Sequence, residues 1–355
     1  MGKYLRLLGI LILSLFMAYN AEAVVSYSVT DLGDFSPRAI NNRGDVVGWL
    51  TTASQETHAA LYSKGVLKDL GTLGGTYSQA CDINDFGQIV GYTMMKDGSY
   101  HAFLYSDNNM NDLGTFGGIN GYADGINNSG QIAASYEITK GAFHAIRYDH
   151  GTTIDLGNLG GKVTIAYRIN SSSEIIGHAV NENGEDRAFV YINGEMTDLG
   201  TLGGTTYALD INDSGQIVGC SLVLPTFDNH AFLYENGTIS DINGNCSSSL
   251  ATSINNNGEI VVQDITTIGA FIFRDGIMTC LNDLIEPASG VTLTGAQSIN
   301  DNGQIVAYGK YGNDEDSVFM LTPIPEPTII IQLSIALAVM FIYSSIFGTK
   351  YIFLK

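Results

Sequence analysis

The chain has 355 residues, with 36 Asp and Glu against 16 Lys and Arg and a formal net charge of −20. Phosphate backbones are repelled by such a surplus of acid, so nucleic acid is excluded as a partner class. The surplus suits a soluble, secreted binding-type domain better than a cytosolic enzyme, with cation binding as the weaker second reading.

Residues 1–23 have the layout of a cleavable secretory signal. Lys3 and Arg6 precede an apolar run from Leu7 to Met17, and Ala21-Glu22-Ala23 supplies the small residues of a cleavage site. The mature chain is expected to begin near Val24. No cysteine stands there to carry a lipid anchor.

From residue 24 to 322 the chain repeats. Ile-Asn pairs recur at Ile40-Asn41, Ile83-Asn84, Ile126-Asn127, Ile169-Asn170, Ile211-Asn212, Ile254-Asn255 and Ile299-Asn300, at spacings of 42–45 residues. That is the length of one four-stranded propeller blade. In the fifth unit the strand signals are Ala208–Asn212, Gln216–Cys220, His230–Tyr234 and Thr238–Ile242. Tight turns at Asn212-Asp213-Ser214-Gly215 and Asn236-Gly237 join them. Ile89-Val90 and Ile217-Val218 put apolar residues on both faces of a strand, as a sheet sandwiched between neighbours requires.

Outer-strand signals fall at Asp31-Leu32-Gly33, Asp69-Leu70-Gly71, Asp112-Leu113-Gly114, Asp155-Leu156-Gly157, Asp198-Leu199-Gly200, Asp241-Ile242 and, degenerately, Asn282-Asp283-Leu284. The first precedes any inner strand, and the last unit lacks its own. The expected fold is therefore all-β: a seven-bladed β-propeller of four-stranded blades, closed by the N-terminal strand from Ser26 to Leu32. Closure hides the edges an open array would expose. A solenoid is the structural alternative.

Cys81, Cys220, Cys246 and Cys280 show no zinc-ligand spacing. In an exported chain Cys246–Cys280 is the best candidate disulfide, and buried free thiols fit equally. His58, His101, His144 and His230 begin third strands, where ring symmetry keeps them apart, so a structural hydrogen-bonding role is expected and neither metal nor cofactor is. The Asp before each Leu-Gly is read as an acceptor for turn amides.

Residues that break the repeat are free to serve a site. The first-to-second and third-to-fourth turns share one face and are tight. The other face carries variable segments: 93–100 with Met94 and Met95, 179–186, 221–229 with Phe227, and 309–316 with Asp314 and Glu315. Loops on a rigid scaffold are where binding resides. Tyr77, Tyr122, Tyr167 and Tyr207, near the entries to inner strands, form a candidate aromatic collar for a sugar or peptide, with packing at the blade top as the plain alternative.

After Pro325-Glu326-Pro327 the stretch 328–347 carries no charge and is long enough to span a bilayer as a helix. Lys350 and Lys355 follow, placed to stay cytoplasmic. Residues 323–355 are thus an anchor segment with a transmembrane helix at 328–347.

Two resemblances join these segments. His101-Ala102-Phe103 and His230-Ala231-Phe232, with Asp-Leu-Gly-Thr-Leu-Gly-Gly at 69–75 and 198–204, resemble the bacterial HAF family of extracellular repeats over about residues 27–321. The tail resembles a PEP-CTERM sorting signal, although its two lysines flank Tyr351-Ile352-Phe353-Leu354 where the pattern has a compact arginine cluster. This resemblance implies export, processing by an exosortase at Pro325-Glu326-Pro327, and delivery to the cell surface or its exopolysaccharide matrix.

The leading expectation is a non-catalytic binding or scaffold module for an exopolysaccharide or surface protein. A secreted carbohydrate-active hydrolase or lyase is the alternative from another class, but no pair of carboxylates at glycosidase spacing can be singled out and no GxSxG, HExxH or phosphate loop is present. A purely structural matrix component is the third.

Overall fold

Each Ile-Asn pair ends an innermost strand, and the asparagine builds the turn that follows. Asn212 Oδ1 accepts the backbone N–H of Ser214 at 3.1 Å and of Gln216 at 3.0 Å, while Gly215 takes φ of 76°. The Asn212 side-chain amide donates to Gln216 Oε1 at 2.8 Å and to the Asn255 carbonyl of the next unit at 3.1 Å. A buried Asn has two acceptor sites and two donors, and here all are used. Asp would lack the donors, and Gln would overreach the turn.

The computed structural model describes residues 26–244, 246–312 and 317–324. The signal at 1–23, the sorting residues Ala21, Ala23, Pro325, Glu326 and Pro327, and the stretch 328–347 lie outside them. Among the described residues no helix is long and apolar enough to cross a membrane. Residues 28–322 form one compact unit; of the second, 1–27 with 323–355, four residues are described, and there the Ile324 N–H donates to the Ser26 carbonyl at 2.8 Å.

The described fold is all-β apart from two 3-10 turns. Six units of four antiparallel strands span 36–71, 78–114, 120–155, 160–198, 206–241 and 249–280. A seventh sheet combines Val291–Ile299, Ile305–Tyr311 and Ser317–Pro323 with Tyr27–Gly33 at its outer edge. One parallel bridge, Phe143 to Val163, links the third and fourth units. In the fifth unit the strands run Thr206–Ile211, Ile217–Val223, Asp228–Glu235 and Thr238–Asp241, each within a few residues of its sequence signal.

Hydrophobic cores lie between neighbouring sheets. Val90 and Ala102 of the second unit meet Ala123, Ile126, Ile132 and Ile146 of the third, all buried. Within a sheet, the Phe of His-Ala-Phe crosses the Gly of the second strand: a Cβ at Gly91 would stand 2.8 Å from Phe103 Cζ and 1.9 Å from the Gln79 carbonyl oxygen. The ring therefore fills the space a side chain would need. The His of the tripeptide reaches the outer strand, with His101 Nδ1 2.9 Å from Asp112 Oδ1 and His58 Nδ1 2.9 Å from Asp69 Oδ2. Asp112 Oδ1 also accepts the Gly114 N–H at 2.7 Å.

Two expectations are corrected. Asn282-Asp283-Leu284 is not an outer strand; the sixth unit's outer strand is Ile277–Cys280, and Leu281–Asp283 is a 3-10 turn. The Asn282 side chain pins that turn to the seventh unit, donating to the Leu293 carbonyl at 3.0 Å and accepting its N–H at 2.8 Å. No disulfide joins Cys246 to Cys280, and all four cysteines are free. Cys246 is instead hydrogen-bonded to Asp264, and burial pushes its thiol up to about 11.

Candidate functional site

Antiparallel pairing separates two faces and an axis. On the turn face the seven Ile-Asn pairs line one cavity of about 190 Å³. Their asparagine amides form a circuit, each donating to the next asparagine's carbonyl at 2.9–3.1 Å, from Asn41 through Asn84, Asn127, Asn170, Asn212 and Asn255 to Asn300 and back to Asn41. Acidic residues at the mouth are already engaged. Asp301 accepts from Asn42 and Asn256, and Asp85 accepts from Asn42 and Asn128.

Every innermost strand carries a bulge two residues before its Ile, at Arg38, Cys81, Asp124, Tyr167, Leu209, Thr252 and Gln297. A bulge re-aims side chains. Positions within two residues of the Ile thereby line a second cavity of about 130 Å³ in the axis, bordered by Arg38, Asp82, Arg168, Asp210, Thr252 and Gln297, among others. Unlike the Ile-Asn pairs, these positions hold a different residue in nearly every unit.

Most charges there are internally satisfied. Asp82 accepts the N–H of Ile83 and of Ile126, both at 2.9 Å, and Asp210 accepts Ile211 N–H, Ile254 N–H and the Ser253 hydroxyl. Arg168 Nη1 donates to the carbonyls of Asp124 and Tyr167. Burial raises the carboxyls of Asp82 and Asp210 above the usual range, opposed by Arg168. Asp124 is pushed up to about 6, chiefly by burial, with Arg38 and Arg168 pulling the other way. Burial likewise pushes up the Cys81 thiol.

The four candidate tyrosines do not form one collar. Counted back from Ile-Asn, Tyr77 lies six residues before the Ile, Tyr122 and Tyr207 four, and Tyr167 two, so they sit at three depths. Tyr77 and Tyr122 belong to a cluster with Tyr92 and Tyr100, with ring centroids 5.1–6.2 Å apart. Tyr167 and Tyr207 flank His178, at 5.9 and 5.4 Å. Tyr167 Oη lies 3.0 Å from His178 Nδ1, and burial lowers the imidazole's pKa against the pull of Asp186. Burial pushes Tyr122 up to about 12. Burial raises the phenols of Tyr77, Tyr167 and Tyr207 as well, so with Tyr122 they stay neutral, with half-buried faces suited to stacking.

Met94 and Met95 are half-buried at the start of the second unit's loop, where Met95 N–H donates to the Ser99 carbonyl at 2.8 Å. Phe227 is 69% exposed at φ of 63°. Asp314 and Glu315 lie outside the described residues.

The loop face has a further feature that sequence reading missed. Of eleven well-exposed large apolar side chains among the described residues, seven lie on it; Leu224, Phe227, Ile265 and Ile268 come from the second-to-third loops of the fifth and sixth units, and Tyr311 ends the second strand of the seventh. Ile268 has φ of 55°, a region costing a non-glycine residue about 1–2 kcal/mol. Tyr92 and Tyr100 were also missed. Nothing marks them locally, because they meet Tyr77 and Tyr122 only across strands. The axial residues did carry a signal: they vary just before an otherwise constant Ile-Asn.

Among the described residues no three His, Cys, Asp or Glu side chains converge as a metal-ligating group.

No protein-family model matches the chain, and no curated protein is significantly similar to it. Solved structures do share the fold. YCF48 bound to D1 peptide, a β-propeller, is 10% identical, with 85% of this chain and 96% of that one covered and a TM-score of 0.51. A puromycin-hydrolyzing peptidase from Mycobacterium tuberculosis is 9% identical with a TM-score of 0.53, covering 84% of this chain and 53% of its own, so the chain spans about half of that enzyme. TolB from Acinetobacter baumannii is 13% identical, covering 85% and 97%, with a TM-score of 0.44. The fold is thus all-β and of propeller type.

Proposed function

We propose that this chain is a closed seven-bladed propeller, exported and held at the cell surface or in its matrix, that acts as a non-catalytic binding or scaffold module for an extracellular polysaccharide or protein. The observation that carries the binding reading is the contrast between faces. The turn face offers asparagines whose donors and acceptors are spent on one another. The loop face offers the Tyr77-Tyr92-Tyr100-Tyr122 cluster and a run of exposed apolar side chains, the kind of surface that marks an interaction site.

Supporting the closed ring are the outer position of Tyr27–Gly33 and the return of the asparagine circuit to Asn41. Export, anchoring at 328–347 and processing at Pro325-Glu326-Pro327 rest on the signal layout and the HAF and PEP-CTERM resemblances. Tyrosine faces suit a sugar, whereas Leu224, Phe227, Ile265 and Ile268 favour an apolar protein surface, and YCF48, of the same fold type, is seen bound to D1 peptide. The hydrolase reading is weakened because Asp82 and Asp210 spend their oxygens on backbone amides.

Glycan and peptide arrays probed with the full chain test this reading. Replacing Tyr122 and Tyr207 together with Ala is expected to weaken a sugar ligand by a few kcal/mol. Phe227→Ala with Ile268→Ala is expected to do so for a protein ligand. A ligand whose affinity falls only with turn-face variants would overturn the assignment of the face. Cell fractionation and C-terminal sequencing test export and processing separately.

A further inference from the structure

Arg38 differs from every other charged group in the axial cavity. Arg168 donates to two carbonyls, and Asp82 and Asp210 are saturated by amides and a hydroxyl. The Arg38 guanidinium borders the cavity with no hydrogen bond or ion pair to any described residue. Beside it, the seventh unit supplies Gln297 and Ser298, which also border the cavity and whose side chains make no hydrogen bond among the described residues. Arg38 and Gln297 are the equivalent bulge positions of adjoining innermost strands.

A cationic fork, an amide and a hydroxyl thus converge unspent on a space of about 130 Å³, well beyond what one water occupies. An enclosed guanidinium without an acceptor is costly, and a planar carboxylate matches its paired N–H groups. We propose that the axial cavity is a binding site for a small carboxylate, held by Arg38 with Gln297 and Ser298 as neutral donors. The site is separate from the loop face and does not depend on what that face binds.

The groups facing Arg38 set a pH dependence. Cys81, Tyr167 and Tyr308 are pushed up by burial and stay uncharged near neutrality. Asp82, Arg168 and Asp210 lie across the cavity, and Asp124, at about 6, is the competing anion that titrates. Protonating Asp124 removes that competitor, so a carboxylate binds more tightly as pH falls from 7.5 to 5.5.

Formate titrated into the full-length protein by calorimetry, against matched chloride, is the test. Saturable millimolar binding that tightens toward pH 5.5 is expected, weakened about tenfold or more in Arg38→Gln. Gln297→Glu, which sets a tethered carboxylate beside an intact Arg38, is expected to abolish it. Undiminished binding in either variant overturns the proposal. So does wild-type protein that takes up formate no better than chloride, or with no gain at pH 5.5, and that arm stands even if a variant fails to fold.

Discussion

The Asn300 side-chain amide donates to the main-chain carbonyl of Asn41 at 2.9 Å, across 259 positions of sequence. The six other links of the circuit join residues 42–45 apart, so within the circuit this bond is the one that ties the last repeat to the first, beside the bonds of Asp301 and Asn302 to Asn42. Asn300 Oδ1 also accepts the N–H of Asn302 and of Gln304. Asn300→Ala leaves two part-buried turn amides and the buried Asn41 carbonyl without this partner, and a loss of about 2–4 kcal/mol is expected from denaturant unfolding. Asn300→Asp keeps the acceptor but turns the donor into a charge facing a carbonyl, so it should be no milder.

Removing residues 26–33 strips the outer strand from the seventh sheet. Buried Leu32 goes, as do the Ser28 hydroxyl bond to the Thr322 carbonyl and the Ser317 bond to Asp31. Stability should fall by far more than the ~1 kcal/mol of a typical point change, with self-association through the bared edge. A truncated chain that stays monomeric with an unchanged melting temperature would contradict this.

Gly91→Ala forces a Cβ against Phe103 and the Gln79 carbonyl. The backbone contact cannot give way without opening the first two strands, so the expected cost is about 2–4 kcal/mol by thermal or chemical unfolding. Gly258→Ala is a milder contrast. Its φ is 78°, but the nearest atom to an added Cβ is a Gln216 side-chain oxygen at 3.6 Å, so only the left-handed penalty of about 1 kcal/mol applies.

Burial pushes the Asp124 carboxyl up to about 6 in the folded chain, from an ordinary value of 3.8. Between these values the folded state holds more protons, so this group makes stability fall as pH rises and the penalty is complete above about 6. Asp124→Asn should raise the melting temperature at pH 7.5 by a few degrees and remove the part of the pH 4–6.5 slope that Asp124 supplies. Scanning calorimetry across that range checks both.

Much of the fold can be read from single residues in their local setting. The Asn-x-x-Gly turns, the His-Ala-Phe strand and the Asp-Leu-Gly end each solve a problem within a few positions or across one hairpin, as with Asn212 and its turn amides or His101 and Asp112. Where the pattern decays, as at Asn282, local reading assigns a strand and a neighbouring unit makes a turn instead.

The period, the two kinds of face and the turn chemistry follow from the sequence alone, because they depend on neighbours along the chain and repeat seven times. Only the tertiary structure decided which side chains meet. Tyr92 and Tyr100 meet Tyr77 across the strands of one sheet and Tyr122 from the next, within about 6 Å, and Arg38, Asp82, Arg168 and Asp210 share a cavity because a bulge in each innermost strand turns them to the axis. No window of sequence contains those encounters, since they are set by strand register and by the packing of one sheet on the next.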